Sequence, residues 1–128
     1  MTLAAYISQC SRRTFGWGIW DCCLFAADAV KCTTGKDMAA HLRATYANQN
    51  EARRLVSSIG GYAAIVLDGG LIPVTGPFQD GDIGVLKSRG DISALVVFWQ
   101  GRFLGVFGEG KYGLMPIASR HVEEVFRP

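Results

Sequence analysis

Long apolar runs are missing from this chain: none approaches the roughly 18 residues that a membrane-spanning helix requires. An export signal is missing too, since "MTLAAYISQCSRRT" has no basic start followed by an apolar stretch and a cleavage site, so the chain is expected to be made and folded in cytosol. Charge is sparse, at 19% of residues with a net +2. The basic side chains Arg12, Arg13, Arg53, Arg54, Lys87 and Arg89 are scattered, which speaks against nucleic acid or an anionic membrane as a partner. Histidine is scarce, with only His41 and His121. Neither lies near a cysteine in sequence, and Cys10, Cys22, Cys23 and Cys32 form no CxxC pair, so no zinc site and no cofactor is expected. A metal or iron–sulfur site built from these four front thiols is the weaker alternative. Free thiols are the expectation for a cytosolic chain.

What the chain does have is apolar substance. Hydrophobic residues make up 49% of its 128 residues, enough for one folded domain over residues 1–128 and too short for a second core. No linker or repeat divides it. Thr2 predicts the cap of a first helix in which Leu3, Tyr6, Ile7 and Cys10 recur at helical spacing. "RRTFGWGIWD" ends that pattern, and Asp21 predicts the cap of a second helix running to about Thr34 before Gly35. Asp37 opens a third expected helix, "DMAAHLRATYA"; "NEARRLVSSIGG" reads as a fourth, and "YAAIVLDGG" as one more short one. After "PVTGPFQDGD" the pattern changes to short β-branched and aromatic segments, "DIGVLKS", "ISALVVFW", "RFLGVFG", "GLMPIA" and "HVEEVF", with "WQGR" as a tight hairpin turn. Helices followed by a meander give an α+β fold, with N-terminal helices packed on one C-terminal antiparallel β-sheet.

The stretch "GWGIWDCCLFAADAV", residues 16–30, holds the chemistry. Cys22 falls in the first turn of a helix, where unpaired backbone N–H groups and the peptide dipoles favour a thiolate. A thiol in that place is a candidate nucleophile. Cysteine is equally a buried filler, and Cys23 with Ala26, Ala27 and Val30 makes an apolar stripe. Adjacent helix residues point about a hundred degrees apart, so Cys23 can be core while Cys22 faces a groove. Asp21 reads as a helix cap or as a substrate-binding carboxylate; Trp17 and Trp20 read as packing or as stacking surfaces for a ligand.

Phe15, Trp17, Gly18, Asp21, Cys22, Thr34, Gly35 and Asp37, then Leu42, Arg43 and Tyr46, then Gly60 and Gly61, then Gly81 and Asp82, follow one another in a telling order. This series resembles the NlpC-type papain-like cysteine peptidases, and more closely a small phage and prophage branch of that group. The resemblance implies a papain-like fold with Cys22 in the nucleophile position and Asp21 beside the substrate. In that group the base histidine opens the strand after the "GD" strand; the matching position here is Ala94 or a neighbour. The orienting residue would fall on the next strand, which offers Glu109. His121 is the remaining candidate base, and His41 reads as an ordinary helix histidine.

Two functions follow as expectations. One is a phage tail-tip or tail-hub component with a degenerate peptidase fold, carried in the virion tail after assembly in the host cytoplasm. It would contact other tail proteins (hub, distal tail or fibre) through apolar positions such as Phe103, Phe107, Tyr112 and Met115, and would engage peptidoglycan. The other is an active peptidase or amidase cleaving peptidoglycan stem peptides during phage entry, with Cys22 attacking the scissile carbonyl.

Overall fold

Thr2 starts the chain's first helix, α1 (Leu3–Cys10), by accepting the Ala5 N–H on its hydroxyl at 3.1 Å. In this computed structural model, which describes residues 1–87, 93–108 and 113–128, Leu3, Tyr6, Ile7 and Cys10 form the buried stripe of that helix. The second helix, α2 (Cys22–Thr34), is capped by Asp21 and stopped by Gly35 in the left-handed region at φ 77°. Eight of its thirteen residues are buried, so this helix runs through the core. Two more helices follow, α3 (Gln49–Ile59) and α4 (Tyr62–Asp68), hinged on Gly60 and Gly61 at φ 113° and 97°.

The helix expected from Asp37 does not form. Residues 38–45 are successive turns, because the Asp37 carboxylate takes the Ala39 N–H at 3.1 Å and Arg43 folds back onto it at 2.8 Å. Arg43 also reaches Asp28 of α2 at 2.6 Å, so a tertiary ion pair holds these turns in place of a helix. Ala44 sits at φ 59°, outside helical geometry.

Six strands make one antiparallel sheet: β1 (Ile72–Val74), β2 (Ile83–Leu86), β3 (Leu95–Trp99), β4 (Arg102–Gly105), β5 (Met115–Ile117) and β6 (Val122–Arg127). Their order is β1-β6-β2-β3-β4-β5. The middle is the expected meander, with Gln100 and Gly101 at positive φ joining β3 to β4 in a two-residue turn. β1, a strand absent from the sequence expectations, adds an edge by pairing with β6. The fold is α+β, with its helices N-terminal to the sheet.

Alternation sorts the strands into two faces. Ile83, Leu95, Val97 and Phe126 join the helix side, where α2 packs against β3 and α1 against α2. Val96, Phe103 and Val125 form a second cluster, over which Phe78 and Phe98 stack edge-on against Phe103 at 5.6 and 5.1 Å. Phe103 is therefore interior, at 1% exposure, and is not the surface contact expected of it. Met115 is exposed, whereas Phe107 is half-buried. Tyr112, Arg89 and Glu109 lie outside the described residues.

Candidate functional site around Cys22

The loop before α2 is locked by its own backbone. Gly16 and Trp20 exchange hydrogen bonds at 3.0 and 2.8 Å, and the Gly18 carbonyl accepts Ala44 N–H at 2.9 Å. Gly18 has φ 75°, and a Cβ there would strike the Tyr46 carbonyl oxygen, so only glycine lets the loop approach the 38–46 turns this closely.

Asp21 then ties three pieces together. Its carboxylate accepts Leu24 N–H at 3.0 Å, Gly18 N–H at 3.0 Å and the Tyr46 hydroxyl at 2.5 Å. It is 1% exposed. Of the two readings for Asp21, the geometry fits the cap and not the substrate-binding carboxylate: its oxygens are taken by the cap, the loop and Tyr46, and it does not line the groove. Trp20 resolves in the same way. Its indole is fully buried, donates to the Tyr6 hydroxyl at 3.2 Å, and stacks edge-on against Phe25.

With its cap fixed, α2 delivers Cys22 to the floor of a groove of about 800 Å³. Trp17, held edge-on against Phe15 at 4.8 Å, forms one end. Ala52 and Val56 of α3 line it as a wall, and Val106 and Phe107, just past β4, line it as well. Ala94 lines the floor beside Cys22 and is 2% exposed. Cys23, a position away, packs into the core at 2% exposure.

The Cys22 sulfur shares a hydrogen bond with the Tyr62 hydroxyl at 3.5 Å. Backbone N–H groups of Leu95 and Cys23 also reach it. Its acidity runs opposite to the expectation from the helix start. Burial, reinforced by the Asp21 carboxylate, pushes the thiol up to about 11, and the three hydrogen bonds offset only part of that. Near neutral pH the sulfur is thus a thiol, a poor nucleophile and a polarizable hydrogen-bonding group.

No imidazole corrects this state. His121 lies in the short 3₁₀ turn Ser119–His121 ahead of β6, and His41 is exposed in the 38–45 turns. Neither lines the groove, so the role of base expected for His121 has no geometric footing. The four cysteines are free thiols, and among the described residues no group of three His, Cys, Asp or Glu side chains could hold a metal ion.

Sequence reasoning had placed Cys22, Trp17 and Ala94 in one neighbourhood, and the fold brings them to one groove. It missed Tyr62, which reaches the sulfur from 40 positions downstream. The only available signal was the glycine pair before it, which lets the chain reverse so that α4 starts at the groove floor.

A family model described as "Domain of unknown function (DUF6950)" matches residues 1–127. No curated protein and no solved structure matches the chain.

Proposed function

We propose that this chain, which belongs to the DUF6950 family, is a papain-like, NlpC-type domain that keeps the peptidase groove and has lost hydrolysis. Its role in this reading is structural: a component of a phage tail tip or hub, assembled in the host cytoplasm and carried in the virion, whose groove engages peptide of the cell wall. The NlpC-type motif series around Cys22 supports the fold and the tail setting. One observation carries the loss of hydrolysis. Where a peptidase presents an imidazole to its sulfur, Cys22 meets the Tyr62 hydroxyl, in a groove that Ala94 lines with a methyl group. Neither group takes a proton from a thiol near neutral pH, so the acyl-transfer step has no base.

The test uses purified peptidoglycan. The chain is expected to co-sediment with it and to release no soluble fragments, and Cys22→Ala is expected to bind equally well. Fragment release that disappears with Cys22→Ala and persists with Cys23→Ala would instead establish the active peptidase. Immunodetection of the chain in purified virions tests the tail assignment, which falls if the particles lack it.

A further inference from the structure

The groove floor assigns its second polar group a specific job. Position 62 is the first residue of α4, and the paired glycines ahead of it, both at positive φ, turn the chain so that this helix begins against the groove. Tyr62 is half-buried, lines the groove, and contacts the sulfur at 3.5 Å. Ala94, which lines the same groove, carries only a methyl group and offers no proton acceptor.

We propose that Tyr62 is the positioning residue of the Cys22 thiol: reaching the sulfur from α4, its hydroxyl stands where a peptidase would need a base and fixes the sulfur in the groove by a hydrogen bond. The assignment deepens the non-hydrolytic reading and rests on it. It also names a place in the chain, position 62 on a helix, from which the sulfur can be rearmed, in contrast to position 94, just ahead of β3.

The chemistry of the pair is consistent. Burial raises the pKa of both the thiol and the phenol, so the two stay protonated together and share one hydrogen bond. If the sulfur ionises, the phenol O–H becomes the donor that stabilises it. An imidazole in the same seat would accept the thiol proton and, once charged, hold the thiolate beside it.

Alkylation by iodoacetamide reads this directly: the thiolate forms a bond to the methylene carbon as iodide leaves, so the rate follows thiolate supply and access. The rate at Cys22 is followed by peptide mass mapping, which separates it from the other three thiols, across a pH series on the folded full chain. The wild-type rate near pH 8 should be about tenfold or more below that of a free cysteine peptide and should climb toward pH 11. Tyr62→Phe keeps the ring and removes the hydroxyl, so its profile should move to higher pH, with a rate about threefold or more below wild type near pH 9. Tyr62→His should move the profile the other way and raise the rate near pH 8 at least about tenfold. Melting curves establish that each variant is folded. A Tyr62→Phe profile superimposed on the wild type would reduce Tyr62 to packing and overturn the proposal, as would a folded Tyr62→His that alkylates no faster. These readouts need no cell-wall material, so they fail or hold separately from the peptidoglycan assay.

Discussion

Two helices meet at the groove, and they are built on opposite plans. α2 is buried on nearly every side, and its cap is a carboxylate sealed from water with three donors upon it. α3 has one buried residue, Ala52, and its cap Asn48 is exposed, accepting Glu51 N–H at 2.9 Å while Glu51 returns a bond to Ala47 N–H at 3.1 Å. α2 therefore fixes the sulfur's position as part of the core, whereas α3 offers a wall whose apolar stripe is only half covered. Rigid placement of one group beside an accommodating surface is what a binding groove needs.

The same substitution at the two caps should separate these plans most sharply. Asp21→Ala deletes a cap and also strands the Gly18 N–H and the Tyr46 hydroxyl inside the protein. The expected loss is about 3–5 kcal/mol, read from urea unfolding. A loss below about 1 kcal/mol would mean that α2 does not depend on its buried start. The next effect belongs to the thiols. Cys22 and Cys10 are both pushed up to about 11 by burial, against about 8.5 in an unfolded chain. Folding therefore favours their protonated form. The stability they lend is complete below about pH 8.5 and is lost as pH rises through about 11. The urea midpoint should accordingly fall between about pH 8 and pH 10, and Cys22→Ala should flatten part of that fall. Smallest is Asn48→Ala on α3: about 1 kcal/mol or less, because water replaces the exposed cap's bonds.

This contrast also explains what could be read from the sequence. α2 was legible because its signals are local and agree: Asp21 ahead, Gly35 behind, and small apolar residues between. The hairpin at Gln100 and Gly101 was legible for the same reason. The segment after Asp37 carries a helical pattern, yet its outcome depends on Arg43 bridging to Asp37 and, at 2.6 Å, to Asp28 of α2. That choice is tertiary, and no window of sequence contains it. For Trp20 and Asp21 the sequence leaves packing or cap and ligand contact both open, because adjacency to a reactive residue says nothing of which side faces solvent. Tyr62 was invisible because its meeting with Cys22 depends on the glycine reversal and the packing of two distant helices.

The position of β6 has a consequence for how the molecule assembles. Residues 122–127 lie between β1 and β2, and among the described residues they are the only strand partner of β1. Asp82, sealed from solvent, likewise receives its guanidinium from Arg127, at 2.9 and 2.8 Å. Strand β1 and a buried acid thus wait on a segment made some 45 to 55 positions later. Such long-range closure costs chain entropy before it returns any contact, and it makes that flank the slow one. A nascent chain can set its front helices early, but it leaves one margin of the sheet open until residue 127 arrives.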